Sequence, residues 1–290
     1  MIDSAHIVFF SGTGCTTLCV NALKSSLEKL GVVVSVDELH TDVQQWPKET
    51  RADTLIIMFP VHSFDAPLPI FEYLELLQQE KGKPAAIIAV SGGGEMITNR
   101  ACCLGTRRAL EHKGYTVTYE AMFVMPCNTI IPTPLPAAIA LLKKLPVKAD
   151  EMANDLANDA TRRIDPPLID RLFARLGSWE RAYKPRAKFS KSIKVSKGCS
   201  SCGQCSRECP RGNIEMRDGT PDFQTNCVFC LRCIYGCPNN ALSAGYGAFM
   251  ILKDGFALKR FESDSCPSAD ELRPLLKGFA WKGVREYLSI

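Results

Sequence analysis

The sequence predicts an α/β protein: a doubly wound, five-stranded parallel sheet joined to a small α+β domain rich in cysteine. Three observations predict it. Short apolar runs alternate with amphipathic stretches through residues 1–131. Loops rich in Gly, Ser and Thr follow the first and fourth of those runs. Eight of the 14 cysteines fall into two copies of one spacing between Cys199 and Cys237.

Strands are expected at His6–Phe10, Val32–Val36, Thr54–Phe59, Ala85–Val90 and Thr116–Met125. The early ones are short, continuous and rich in Val, Ile, Ala or Phe, as strands covered on both faces are. Helices are expected at Thr16–Leu30, Leu68–Glu80 and Met96–Lys113. In the first, Leu18, Ala22, Leu27 and Leu30 make an apolar stripe, with Lys24, Glu28 and Lys29 outside it. Gly31 and Gly114 suit helix stops. Repeated βαβ units imply a parallel sheet. Such sheets bind ligands beyond the carboxyl ends of their strands, at the point where the strand order reverses.

Three strand-end loops are candidates for that site. Ser11-Gly12-Thr13-Gly14-Cys15-Thr16 combines hydroxyls with glycines that expose backbone N–H groups, at the start of a helix. That is an anion nest. It lacks the lysine of a P-loop and is not GxGxxG, so it suits a phosphate monoester held by hydroxyls and amides. The blander alternative is an N-capping turn. The second loop is Pro60-Val61-His62-Ser63-Phe64-Asp65-Ala66-Pro67, and the third is Ser91-Gly92-Gly93-Gly94-Glu95. Consecutive glycines allow backbone to approach a flat ligand; taken alone, the third loop also reads as a flexible connection.

The cysteine runs are Cys199-Ser-Ser-Cys202-Gly-Gln-Cys205-Ser-Arg-Glu-Cys209-Pro210 and Cys227-Val-Phe-Cys230-Leu-Arg-Cys233-Ile-Tyr-Gly-Cys237-Pro238. Each is C-x2-C-x2-C-x3-C-P, the spacing that ligates [4Fe–4S] clusters in bacterial two-cluster ferredoxins, where the fourth cysteine serves the other cluster. Soft thiolates suit iron–sulfur chemistry. The expected sets are therefore Cys199, Cys202, Cys205 and Cys237 for one cluster, and Cys227, Cys230, Cys233 and Cys209 for the other. Pro210 and Pro238 turn the chain so that Cys209 and Cys237 leave their own loops. Structural zinc on paired CxxC motifs explains neither the third cysteine of each run nor the Cys-Pro. Disulfides fit poorly with a start that has no secretory pattern.

The 290 residues exceed what a two-cluster ferredoxin needs, and 46% hydrophobic with 23% charged residues is ordinary for a protein with a core. No apolar run approaches the roughly 18 residues of a membrane span. The start reads as cytoplasmic. The formal charge is +4. Two oxidised clusters with their thiolates and one phosphate ester would bring it to about −2. The apparent basicity is thus no argument for nucleic acid, and no nucleic-acid motif is present.

With these motifs in view the chain resembles flavodoxins through S-x-T-G-x-T at Ser11–Thr16. It resembles more closely the flavodoxin–ferredoxin fusion proteins of anaerobic bacteria and archaea. Phe9-Phe10-Ser11-Gly12-Thr13-Gly14, Phe59-Pro60-Val61, Ser91-Gly92-Gly93-Gly94 and Met125-Pro126 carry that likeness. The resemblance implies strand order 2-1-3-4-5 and bound FMN, with the first loop on the phosphate. Pro60, Val61, His62, Ser63 and Phe64, together with Ser91, Gly92, Gly93, Gly94 and Glu95, would flank the isoalloxazine. Cys15 stands where the family usually has Asn, and His62 where it often has Tyr. A histidine near the flavin would make reduction pH-dependent.

The implied organisation is a flavodoxin-like FMN domain over 1–165, a helical and basic linker over 166–193, a 2[4Fe–4S] ferredoxin domain over 194–243 and a helical extension over 244–290. Pro146 is expected to separate helices Ala137–Leu145 and Asp150–Ile164. A further helix, Ile169–Tyr183, would carry Leu172, Phe173, Leu176 and Trp179 on one stripe. The cations Lys184, Arg186, Lys188, Lys191, Lys194 and Lys197 read either as a solvated linker or as a docking surface for an acidic redox partner. Ser268–Tyr287 is expected to pack on a redox domain. Cys15, Cys19, Cys102, Cys103, Cys127 and Cys266 form no third cluster motif. The expectation is a cytoplasmic electron carrier joining FMN to two clusters. The alternative is an FMN-dependent reductase of a small acceptor fed by its ferredoxin domain. A homodimer is one way to close a long gap between cofactors.

Overall fold

The computed structural model describes residues 2–177, 181 and 183–290. Five parallel strands, β1 (Ser4–Phe9), β2 (Val33–Glu38), β3 (Thr54–Pro60), β4 (Lys83–Ser91) and β5 (Tyr115–Val124), form one sheet in the order β2-β1-β3-β4-β5. This is the flavodoxin-like order, with its reversal between β1 and β3. One face packs on α1 (Cys15–Lys29) and α4 (Leu135–Ala157), the other on α2 (Leu68–Leu76) and α3 (Leu104–His112). β1, β3 and β4 are buried on both sides, as their apolar runs require. β2 is not: it lies at the edge, alternating exposed and half-buried positions, and Val33 faces water.

Several boundaries differ from expectation for local reasons. α2 ends at Leu76, and the Gln78 N–H donates to the Lys48 carbonyl at 2.8 Å instead of continuing the helix. α3 starts at Leu104 rather than Met96, because Gly94 (φ 73°) and Thr98 (φ 84°) turn the preceding chain back. Pro146 does not split α4. Leu141, Leu145, Ala149, Met152, Ala153 and Leu156 keep one face buried throughout, while the proline ring lies on the solvent side. There the bond it cannot make is replaceable by water.

After α4 the chain returns along β5, where Arg162 bridges Tyr119. α5 (Leu168–Gly177) follows, then α6 (Tyr183–Lys191). α5 covers the first part of the expected helix Ile169–Tyr183; residues 178–180 and 182, Trp179 among them, lie outside the described residues. α6 is no free linker, since Phe189 and Ser190 are fully buried in the cysteine-rich unit. That unit holds β6 (Lys194–Val195), α7 (Gln204–Arg207), β7 (Ile214–Arg217), β8 (Thr220–Phe223), α8 (Arg232–Tyr235) and β9 (Leu242–Ser243). β6 pairs with β9 and β7 with β8, both antiparallel. The C-terminal segment, with α9 (Ala269–Leu272), α10 (Lys282–Leu288) and the chain between them, packs Leu272, Leu276 and Val284 against α4 and the end of β5.

The 162–164 segment is pinned by one buried ion pair. Glu120 is fully buried and takes Arg107 Nε at 2.6 Å, Arg107 Nη2 at 2.5 Å and the Ile164 N–H at 2.9 Å. Arg107→Leu leaves that carboxylate buried without its cation, which costs about 3–5 kcal/mol. A urea midpoint lowered to match is the expected result, and an unchanged midpoint would contradict the pairing.

Candidate functional site

Loops at the carboxyl ends of β1, β3 and β4, with the segment after β5, enclose one cavity of about 390 Å³. The first loop is built to receive an anion. α1 begins at Cys15, and its cap, Gly14, has φ 94° and offers no side-chain bond to the helix N–H groups. The Ser11 and Thr16 hydroxyls are buried, line the cavity and have no partner. A buried polar atom left without a partner is costly, and a ligand with several acceptor oxygens would satisfy both. The residues present therefore fit a phosphate monoester. Thr13 Oγ1 accepts from Asn128 Nδ2 at 2.8 Å, which ties this loop to the segment after β5.

In the second loop His62 and Asp65 exchange backbone bonds of 2.9 and 3.0 Å around Ser63 (φ 42°) and Phe64 (φ 72°). Non-glycine residues rarely adopt this left-handed conformation. Asp65 also pairs with Arg181. Both constraints hold Ser63 and Phe64 in the wall of the cavity. The third loop is fixed rather than flexible: Ser91 Oγ accepts from the Gly93 N–H at 3.1 Å and from Asn99 Nδ2 at 2.8 Å. A methyl group on Gly92 would come within 2.6 Å of Cys127 Cβ, so only glycine fits.

Of the residues expected at this site, Ser11, Gly12, Thr13, Cys15, Thr16, Pro60, Val61, His62, Ser63, Phe64, Ser91, Gly92 and Gly93 line the cavity. Gly14, Gly94 and Glu95 do not. Gly14 is the helix cap and faces Leu258, Gly94 packs against the Gly283 backbone, and Glu95 pairs with Arg162 at 2.6 Å. The structure adds walls that sequence reasoning missed. These are Asn128, Ile130 and Ile131 after β5, Met250, Ala280 and Trp281 from the C-terminal extension, and Phe229, Cys230 and Leu231 from the second cysteine run.

The cysteines line two further cavities. One is walled by Cys199, Cys202, Cys205 and Cys237, the other by Cys209, Cys227, Cys230 and Cys233. A shift of 28 residues, Cys199 to Cys227, superposes the two runs in conformation. Ser201 and Phe229 have φ 56° and 55°, Gly203 and Leu231 68° and 59°, and Gly212 and Asn240 55° and 48°. The strand pair Val195–Leu242 likewise maps onto Phe223–Ile214. Cys209 Sγ accepts the Asn213 N–H at 3.4 Å and Cys237 Sγ the Ala241 N–H at 3.2 Å. Among the described residues no three His, Cys, Asp or Glu side chains converge closely enough to hold a single metal ion. Four thiols spaced around a small cavity, with backbone N–H groups already directed at sulfurs of both sets, fit a group several atoms across. An iron–sulfur cubane is such a group, and thiolate is its donor.

The two cavities differ in surroundings. The second has Phe189, Ile193, Ile214, Phe223, Val228 and Leu231 around it. Burial first, then neighbouring thiols, pushes Cys227 up to about 12 and Cys230 up to about 11. Thiolate ligation there would release protons. Around the first, Ser200, Ser201 and Cys202 are exposed. Cys230 lines both the second cavity and the strand-end cavity. A methyl group on Gly12 would lie 2.6 Å from the Cys230 carbonyl oxygen and 3.2 Å from its Cβ, so the two loops touch.

No known family model and no curated protein matches the chain. Solved structures similar to its N-terminal half include a Streptococcus pneumonia TIGR4 flavodoxin, 21% identical with TM-score 0.40, covering 54% of this chain and 99% of that one. A short-chain flavodoxin associated with a non-canonical PDU bacterial microcompartment is 19% identical with TM-score 0.40, over 55% and 99%. Flavodoxin 2 from Bacillus cereus is 15% identical with TM-score 0.39, over 53% and 98%. Identities and scores this low carry nothing about cofactor or activity.

His62 yields a pH prediction. Desolvation in the cavity wall pushes its imidazole down to about 4. Above pH 6.5 it is neutral folded and unfolded and contributes no pH dependence. Between pH 6.5 and 4 the unfolded chain takes up the proton and the folded chain does not, so stability falls as pH falls through that window. His62→Gln should flatten this part of the stability profile, and an NMR titration of His62 with a midpoint near 6.5 would contradict the burial argument.

Proposed function

We propose that the chain is an electron-transfer protein that couples bound FMN to two [4Fe–4S] clusters and passes low-potential electrons to or from a partner redox enzyme. The observation that carries this reading is Cys230, one residue in the wall of both the strand-end cavity and the second cysteine cavity. Bound FMN exchanges electrons singly or in pairs, and the clusters exchange them one at a time. The protein's own residues do the rest. Ser11, Thr16 and the first-loop N–H groups hold the phosphate. Gly92 and Gly93 give the cavity a backbone wall for the ring, their missing side chains making room for Cys127, Asn99 and Met96 behind it. Met250, Ala280 and Trp281 keep water from it. His62 stays neutral at physiological pH, so it positions the ring without adding charge.

The size of the cavity supports a carrier over the reductase reading. It lies near the low end of the roughly 300–1,000 Å³ of small-molecule sites, enough for one cofactor with little left for a substrate. Because the approach lies within one chain, no second copy is needed to bridge the cofactors. Exchange with the partner then falls to the first cluster, beside exposed Cys202, Lys194 and Lys197. The docking surface is narrower than the six cations of 184–197. Arg186 is buried and donates to the Cys227 carbonyl, and Lys188 stacks over Tyr246. No described helix is long and apolar enough to cross a membrane, and a chain whose cysteines are unpaired suits the reducing cytoplasm we propose for it.

Anaerobic reconstitution should give one FMN and about eight irons per chain, four per cubane. Bound FMN should then be reduced through the clusters in stopped flow. Cys230→Ser should stop that reduction while FMN stays bound. Chains without FMN, or with fewer irons, contradict the proposal. The more exposed first cluster should have the higher midpoint potential in an EPR-monitored titration; equal midpoints or the reverse order would reject that ordering.

A further inference from the structure

Arg232 lies between Cys230 and Cys233, yet its guanidinium serves the first loop. Nε donates to the Gly12 carbonyl at 2.9 Å, and Nη2 donates to the Ser11 carbonyl at 2.8 Å and to Glu38 Oε1 at 2.9 Å. Nη1 reaches the Glu208 carbonyl, next to Cys209, at 3.3 Å. One side chain thus joins both stretches that supply the second cysteine set to the loop that holds the anion. Burial works against the Glu38 carboxylate, yet hydrogen bonds from His40 and Arg232 keep its pKa below the usual range.

The geometry has a direct effect on the nest. A peptide unit is planar and trans, so its C=O and the following N–H point in opposite directions. Arg232 draws the Ser11 and Gly12 carbonyls toward itself, which turns the Gly12 and Thr13 N–H groups the other way. Successive N–H groups so directed make an anion site, and the guanidinium places a positive charge one peptide behind it. The cysteine repeat itself does not require the arginine, because the equivalent position in the first run is Gln204. A second connection runs beside it. Tyr235 donates to the Asn128 carbonyl at 2.8 Å, and Asn128 donates to Thr13 at 2.8 Å. The equivalent of Tyr235 in the first run is Arg207.

We propose that Arg232 is a positioning residue that couples the second cluster to the FMN phosphate, so that each cofactor strengthens the binding of the other. The proposal rests on the cofactor assignment above. Thiolate bonds at Cys209, Cys227, Cys230 and Cys233 fix the segments around Arg232, and the arginine transmits that order to the loop. Reciprocity follows from linkage.

The test is titration of the full chain with FMN, read by flavin fluorescence quenching, before and after chelation of iron. The loaded wild type should bind FMN roughly tenfold more tightly than the stripped chain, a typical coupling. Arg232→Gln with full iron content should bind roughly tenfold more weakly than loaded wild type and lose the dependence on iron. Arg232→Lys should restore only part of the difference, since an ammonium does not match a bidentate fork. Amide exchange at residues 11–14 of the wild type, without FMN, should slow on iron loading. This readout needs no variant. Equal affinity of loaded and stripped wild type, an Arg232→Gln chain that keeps the full coupling, or unchanged exchange would overturn the proposal and leave the cofactor assignment standing. A wild type that binds no FMN in either state would overturn the assignment itself.

Discussion

The absence of a side chain at residue 12 lets the backbone of the first loop rest against Cys230, and the functional geometry depends on that approach. A larger residue would meet the Cys230 carbonyl oxygen at 2.6 Å and force the loops apart. Because they touch, the wall of one cavity is also the wall of the next. The N-terminal sheet and the cysteine-rich unit are therefore not two proteins on a tether. Arg232, Tyr235 and the Arg211–Glu72 pair, at 2.6 Å, fasten the same interface along its length.

Within the cysteine-rich unit the backbone is nearly symmetric and the side chains are not. Matching left-handed residues and matching strand pairs give both runs the same trace. Substitution then separates them. Where the first run has Ser200, Ser201, Gly203 and Gln204, the second has Val228, Phe229, Leu231 and Arg232. The first set turns one cavity toward solvent, and the second turns the other toward the sheet. Phe229 and Leu231 accept a conformation that glycine takes more easily, and their apolar side chains fill the space between the units in return.

Much of this was legible in the sequence, for definable reasons. The parallel sheet followed from apolar runs and their alternation with helices, which are local signals, whereas its order came only from the resemblance carried by the strand-end loops. The grouping of the eight cysteines around two cavities followed from their spacing, because a loop that short leaves few arrangements. The strand-end loops were legible through glycine and hydroxyl chemistry. Gly94 and Glu95 were not separable from Gly92 and Gly93 by composition, because their different roles are set by distant partners, Gly283 and Arg162. Pro146 looked like a break because the rule is local, whereas burial of Leu145 and Ala149 on α1 is tertiary. Trp281 carried a packing signal only. Its place in the cavity wall depends on how the last helices dock against α4, which no spacing in the chain encodes.

The placement of Ala280 and Trp281 also bears on the life history of the polypeptide. A ribosome delivers the chain from its amino end, so the sheet and both cysteine runs emerge while these residues are still to be translated. The strand-end pocket keeps one side unwalled until Ala280 and Trp281 have emerged, so a nascent chain would offer a ligand an entrance that the folded chain narrows.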